Sequence, residues 1–173
     1  PAIYAPKPQQ MKALSEAEAY VSIGVPFEKT WMEKIKSANP QMLVIDSAQG
    51  IERMEMVAHH HHGEEAEHDH EHDHGAETLD PHICLSPQLV KLQAENIYQG
   101  LVKIDPENEA EYQANLAQFL TEIDQLDQQI KQNLAGIENR QFIVFHPAWG
   151  YFARDYDLKQ VSIEVGGQEP SAA

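Results

Sequence analysis

The chain has one cysteine, few basic residues and no long apolar run. A single cysteine excludes an internal disulfide framework and a cysteine-based zinc finger, and the apolar runs are too short to span a membrane. With 12 Lys and Arg against 28 Asp and Glu, the formal net charge is −16. That charge argues against nucleic acid or an anionic membrane as partner and suits a protein that attracts cations.

The sequence also lacks an initiator methionine and a signal peptide. It begins at Pro1 within a proline-rich segment, so we expect a fragment or a processed form. The lack of a signal peptide then carries no information about the cellular compartment.

Eight of the ten histidines lie in one acidic tract, and no Lys or Arg interrupts residues 57–80. Neutral imidazole is the commonest side-chain ligand of divalent transition metals, and interleaved carboxylates add charge attraction. A polar tract cannot bury a core, so we expect a loop that is disordered without metal and gathers metal ions. The alternatives are a solvated linker or a purification tag, although a tag sits at a terminus and lacks the acidic residues. The candidate metal-gathering residues are His59, His60, His61, His62, His68, His70, His72 and His74.

Helical and strand patterns alternate along the chain, which predicts an α/β fold with parallel sheets covered by helices. At 173 residues and 42% hydrophobic content, the chain can form a substantial core. Residues 1–10 are expected to be extended because Pro6 and Pro8 disfavour a helix there. The predicted strands are 20–23, 42–46, 141–145 and 159–165, and the predicted helices are 9–19, 30–38, 86–102, 105–136 and 147–156.

The helix predicted for 105–136 is unusually long, at about 42 Å for about 28 residues. Such a helix can act as a rigid strut between two lobes; a coiled-coil partner helix is the alternative, but the apolar stripe does not keep a strict heptad. We therefore predict an N-terminal lobe (1–104, with 57–79 as an insertion), a connecting helix (105–136) and a second lobe (137–173). The second lobe is expected to be incomplete, because its two strands are too few for independent stability. The stripe consists of Tyr112, Leu116, Phe119, Leu120, Ile123, Leu126, Ile130 and Leu134.

Two histidines outside the tract occupy positions where ligands often bind. His146 follows a buried strand at its carboxyl end, where open α/β sheets bind ligands, and His82 precedes a helix start at Ser86. A single histidine is more often buried and satisfied by one hydrogen bond, but two of them beside a histidine-rich tract favour metal ligation. Cys84 could add a thiolate if the segment is extended, and a small buried thiol is the other interpretation.

These residues resemble two signatures of the zinc- and manganese-binding solute receptors of bacterial ABC importers. That family includes periplasmic zinc-uptake receptors and adhesin-like lipoproteins, and an acidic histidine loop between the two signatures is typical of its zinc branch. The resemblance covers essentially the whole chain. The matching segments are Asp80-Pro81-His82-Ile83 with Leu85-Ser86-Pro87, Phe145-His146-Pro147-Ala148-Trp149 with Tyr151-Phe152, Pro6-Lys7-Pro8-Gln9-Gln10-Met11, residues 15–20 and Gly167-Gln168-Glu169-Pro170-Ser171.

The resemblance implies one metal ion in a cleft between two lobes, with His82 and His146 as the second and third histidine ligands. It implies that the bound ion is Zn²⁺, with Mn²⁺ or another divalent transition metal as the alternative. The first family histidine is replaced by Ala2, the acidic fourth ligand would lie beyond Ala173, and Cys84 stands where a Trp is common.

As a function, the resemblance implies zinc capture without catalysis by the extracytoplasmic component of an ABC importer. The expected partner is a membrane permease, the receptor is expected to be monomeric, and its location is expected to be periplasmic or lipid-anchored. A zinc hydrolase is disfavoured because none of the predicted helices carries a His-Glu-x-x-His motif and no glutamate is placed as a general base beside His82 or His146. A zinc store or metallochaperone in which only the loop binds metal remains the alternative.

Overall fold

A computed structural model of the chain describes residues 5–56 and 79–163. The histidine tract, Ala2 and the predicted end of the last strand lie outside the described residues. The described helices are α1 (Pro8–Glu16), α2 (Pro26–Ala38), α3 (Pro87–Ile104), α4 (Glu109–Leu134) and α5 (Gly150–Asp155). The strands are β1 (Ala19–Ser22), β2 (Leu43–Asp46), β3 (Gln141–Val144) and β4 (Lys159–Ser162), and 3-10 turns cover His82–Leu85 and Pro106–Asn108.

The chain divides into two compact units. The first comprises Pro1–Ile51 and Pro87–Ile130, and the second comprises Glu52–Ser86 and Lys131–Ala173. The segment around His82 therefore groups with the residues after 130, whereas the sequence analysis assigned it to the N-terminal lobe. The predicted boundaries at 104 and 136 stay a prediction.

In the first unit, β1 pairs in parallel with β2, from Ala19 opposite Leu43 to Ser22 opposite Asp46. Helix α3 packs on β2 at Gly100, where an added Cβ would lie 2.9 Å from Cγ2 of Ile45 and overlap it. The glycine therefore allows the helix to approach the strand closely. Ile45 is 5% exposed and belongs to the core of this unit.

A buried carboxylate, Glu28, holds the turn between β1 and α2. Its Oε1 accepts hydrogen bonds from the Tyr20 hydroxyl and the Ile23 N–H, both at 3.1 Å. Its Oε2 accepts from the N–H groups of Gly24 at 2.6 Å and Val25 at 3.2 Å. Because a buried charge is costly unless hydrogen bonds compensate it, this set of four donors explains why Glu28 can be buried.

The Tyr20 hydroxyl should make the stability of the fold pH-dependent in the alkaline range. Burial, followed by the charge and the hydrogen bond of Glu28, raises the pKa of Tyr20 from 10.0 to about 12. The unfolded chain thus releases this proton at lower pH than the folded chain. The free energy of unfolding should be insensitive to Tyr20 below pH 10 and should fall as pH rises from about 10 to about 12.

Urea unfolding at a series of pH values from 9 upward measures this effect, and Tyr20→Phe is the matched control. The difference in slope between the two proteins isolates Tyr20 from the lysines that titrate in the same range. Identical pH profiles for the two proteins would contradict the predicted linkage.

In the second unit, β3 pairs in parallel with β4, from Gln141 opposite Lys159 to Val144 opposite Ser162. Arg140, just before β3, donates to the backbone carbonyls of Leu134 at 2.9 Å, Tyr156 at 2.6 Å and Asp157 at 3.0 Å. The guanidinium therefore joins the end of α4 to the turn that follows α5. This arrangement fixes the start of the strand that leads to His146.

The α/β fold with parallel strands and a long helix is confirmed, but several predicted boundaries were wrong. Helices α1 and α2 begin earlier than predicted, because Pro8 and Pro26 occupy the first helical turn and Gln10 and Glu28 cap the backbone from the third position. The long helix begins at Glu109, after the 3-10 turn Pro106–Asn108. Among the described residues, no helix is both long enough and apolar enough to cross a membrane.

Candidate metal centre

His82 lies at the start of a 3-10 turn whose other residues anchor it. Ile83 and Ser86 are both 0% exposed. The Ser86 hydroxyl also donates a hydrogen bond to Oδ2 of Asp155, at the end of α5. The turn is therefore held by buried contacts on both sides of its backbone, while the His82 side chain keeps 26% of its surface exposed.

The buried carboxylate of Asp80 orients the His82 ring. Oδ1 of Asp80 accepts a hydrogen bond from the backbone N–H of His82 at 2.9 Å and contacts its Nδ1 at 2.6 Å. An ionised carboxylate can only accept, so Nδ1 carries a proton, and in the neutral ring the lone pair is then on Nε2. This is the arrangement in which metal-binding histidines are usually held, with one nitrogen donating to a carboxylate and the other facing the metal.

His146 lies close to His82. It follows β3 by two residues, and its ring centroid is 5.3 Å from that of His82, with the ring planes at 74°. Two imidazoles bound to one tetrahedral zinc ion at about 2.0–2.1 Å would have centroids about 5 Å apart. The separation therefore permits shared coordination, although edge-to-face packing of aromatic rings occurs at similar distances.

A third ligand is not found in the described ranges 5–56 and 79–163, where no group of three or more His, Cys, Asp and Glu residues could hold a metal ion. Cys84 is exposed, so the interpretation as a small buried thiol was wrong. The extended conformation assumed for His82 and Cys84 was also wrong, because both lie in the 3-10 turn. Position 2 and the eight tract histidines lie outside the described residues, and the predicted ligand set and cleft stay predictions.

The two ends of the tract meet beside this pair of histidines. Glu55 and Leu79 form an antiparallel bridge, and the Asp80 N–H donates to the Met54 carbonyl at 2.8 Å. The described residues on either side of segment 57–78 are therefore held together next to Asp80.

Sequence analysis missed two residues of this site. Asp80 belongs to the recognised Asp-Pro-His signature, and its spacing two residues before His82 is the available signal for an orienting carboxylate. Tyr151, which is 0% exposed and donates to the Asp80 carbonyl at 2.9 Å, was named only as part of the second signature, with no contact to Asp80. Its 71-residue separation from Asp80 leaves no local sequence signal for that contact.

Several known proteins of similar sequence are zinc uptake or zinc-binding proteins by name. The high-affinity zinc uptake system protein ZnuA of Bacillus subtilis (strain 168) is 34% identical over 172 residues, which are 97% of this chain and 52% of that protein. The zinc-binding protein AdcA of Streptococcus pyogenes serotype M3 (strain MGAS315) is 31% identical over 178 residues, covering 98% of this chain and 34% of the relative. The chain thus spans about half the length of the first relative and about a third of the second.

Solved structures agree with these sequence matches. A crystal structure of ZnuA superposes with a TM-score of 0.83 at 52% identity, over 99% of this chain and 60% of that chain. A zinc-bound ZnuA lacking residues 138–173 of its own numbering superposes with a TM-score of 0.82, also at 52% identity and with the same coverage. The family model described as "ZnuA: Zinc-uptake complex component A periplasmic" matches residues 1–173. Because that match spans the whole chain, the protein belongs to the ZnuA family.

Proposed function

We propose that this chain captures Zn²⁺ for uptake, as part of the periplasmic solute-binding component of an ABC importer. The observation that carries the proposal is the pairing of His82 with His146 at 5.3 Å, with Asp80 fixing the His82 ring. The proposal assigns the chain no catalytic role. Family membership supports a membrane permease as partner, and the receptor is proposed to be monomeric.

Imidazole coordination favours zinc over manganese as the transported ion. Zinc accepts imidazole nitrogen readily, whereas manganese prefers oxygen ligands and lies at the weak end of the divalent affinity series. His82 would offer Nε2, because Asp80 occupies its Nδ1. Water or a further protein group would complete the coordination shell of the zinc ion. A site with few protein ligands can still release the ion.

The eight tract histidines would gather zinc beside this site. Their role is supported by the Glu55–Leu79 bridge, which closes the tract next to Asp80. Weak sites tethered close to a tighter site raise the local concentration of the ion there. Because imidazole must be deprotonated to bind, this gathering should weaken below about pH 6.5.

Residue-resolved NMR can separate zinc from manganese at the histidine pair. The imidazole signals of His82 and His146 would be assigned with His82→Ala and His146→Ala and followed during zinc addition. We expect both signals to shift together and to saturate together. Bound Mn²⁺ broadens nearby signals, so the manganese competition uses a variant that lacks residues 57–78, in which no tract carboxylate can hold manganese beside the pair. A large excess of manganese added to this zinc-loaded variant should leave both signals sharp.

Broadening of both signals by manganese at equal concentration would move the chain to the manganese branch of the family. The tract histidines serve as an internal control, since they should bind zinc whatever the pair does. If only the tract signals respond to zinc, the store or metallochaperone becomes the better account.

A further inference from the structure

We propose that Tyr151 is a positioning residue for the metal-binding nitrogen of His82, acting through Asp80. The inference rests on the proposed zinc capture and adds a residue from helix α5 to the machinery of that site. Tyr151 touches neither histidine in any contact described above. Its effect would be transmitted through one buried hydroxyl.

That hydroxyl joins three separate parts of the second unit. Tyr151 is 0% exposed, and its Oη donates to the carbonyl of Asp80 at 2.9 Å. The same oxygen accepts from the backbone N–H of Met54, also at 2.9 Å. The Asp80 N–H in turn donates to the Met54 carbonyl at 2.8 Å, which closes a small network around the backbone of Asp80.

The side chain of Asp80 is confined from the same helix. A Cβ added to Gly150, the residue before Tyr151, would lie 3.2 Å from Oδ2 of Asp80, so α5 leaves little space on that side. The opposite oxygen, Oδ1, holds both the backbone N–H and Nδ1 of His82. Movement of Asp80 would therefore change the tautomer and the direction of the His82 ring together.

The Tyr151 hydroxyl must be protonated to donate its hydrogen bond to the Asp80 carbonyl. Desolvation is the main reason that the pKa of Tyr151 is raised, and the charge of Asp80 raises it further. At neutral pH the hydroxyl stays protonated and can donate to the Asp80 carbonyl. Loss of the hydroxyl would leave that carbonyl and the Met54 N–H without this partner.

The test compares Tyr151→Phe with Tyr20→Phe in the full chain. Tyr20 also donates a part-buried hydroxyl hydrogen bond, to Glu28, but in the other compact unit. Two quantities would be measured: the Nδ1–H and Nε2–H tautomer populations of His82 from its ring ¹⁵N shifts without metal, and the zinc affinity of the His82–His146 pair from NMR titration with Zn²⁺.

For Tyr151→Phe we expect a larger Nε2–H population at His82 and a roughly threefold to tenfold loss of zinc affinity. Tyr20→Phe should change neither quantity, even if it lowers the stability of the fold. A Tyr151→Phe protein with wild-type tautomer populations and affinity would overturn the proposal.

A double-mutant cycle tests the route through Asp80. Asp80→Asn should lower the zinc affinity of the pair about tenfold to a hundredfold. Adding Tyr151→Phe to that variant should then change the zinc affinity by less than about twofold, because Tyr151 is proposed to affect His82 only by holding Asp80. Additive losses would show that Tyr151 acts by another route, and the proposal would fail.

Failure of the inference and failure of the proposed function remain distinguishable. If the pair never responds to zinc, the proposed function fails, but the tautomer measurement without metal still tests the positioning role. If Tyr151→Phe does not fold, a fluorotyrosine placed at position 151 keeps the hydroxyl and alters its hydrogen bonding. It should shift the ring ¹⁵N signals of His82, and unchanged signals would overturn the inference.

Discussion

Replacing Ala2 by histidine is expected to raise the zinc affinity of the His82–His146 pair roughly a hundredfold. The family resemblance places the first histidine ligand at this position, within Pro1-Ala2-Ile3-Tyr4-Ala5-Pro6. Binding energies of four-ligand zinc sites amount to about 3 kcal/mol per ligand, which corresponds to about two orders of magnitude in affinity. Residue 2 lies outside the described part of the chain, so this prediction rests on the sequence.

The measurement is an NMR titration of the His82 and His146 signals with zinc buffered by a competing chelator. The matched control is Ala5→His, which adds an imidazole to the same segment at an exposed position. Only Ala2→His should tighten the site. An equal gain from both variants would mean that any added imidazole assists binding, and the assignment of position 2 as a ligand position would be wrong.

Glu28→Ala is expected to lower the free energy of unfolding by about 3 kcal/mol. The substitution removes the acceptor of the Tyr20 hydroxyl and of the N–H groups of Ile23, Gly24 and Val25. Hydrogen bonds to a charged group contribute about 1.5–3 kcal/mol each, and water entering the exposed part of the turn recovers some of that loss. The turn between β1 and α2 would lose the group that holds it.

Urea unfolding followed by circular dichroism gives the size of this effect. Glu33→Ala on the same helix is the control, because Glu33 is exposed and its removal should change stability by no more than about 0.5 kcal/mol. A loss below about 1 kcal/mol for Glu28→Ala would contradict the central role of the carboxylate in this turn. Tyr20→Phe in the Glu28→Ala background should then have almost no further effect.

The class of the fold was predictable because it depends on local patterns. The apolar runs at 42–46 and 141–145 identified strands, and the helical periods between the strands implied parallel pairing, which the register of both sheets confirms. Helix starts were less predictable. Pro8 was expected to disfavour a helix, and the second helix was predicted to begin only at residue 30; in fact both Pro8 and Pro26 lie in the first turn of a helix, where a missing N–H costs nothing.

The candidate site was predictable only in part. His82 and His146 were found from their positions at an element start and a strand end, and the structure brings their rings together. The contact of Asp80 with His82 was not predicted, although Asp80 lies only two residues earlier in the recognised signature. The contact of Tyr151 with Asp80 could not be predicted, since it joins residues 71 positions apart and has no periodic signature. Likewise, no local pattern indicates that segment 52–86 groups with residues far along the chain.

Because Glu55 and Leu79 pair on either side of segment 57–78, we expect that segment to tolerate insertions better than the residues from Leu79 to His82 do. Residues added or removed between 57 and 78 leave the pairing of Glu55 with Leu79 available, so the number of histidines there can change without moving Asp80. A residue inserted between Leu79 and Asp80 would instead displace the Asp80 backbone from Met54 and Tyr151, and one inserted between Asp80 and His82 would change the spacing on which their contact depends. Evolution and protein engineering can therefore vary the length and composition of the tract while the spacing from Leu79 to His82 is kept.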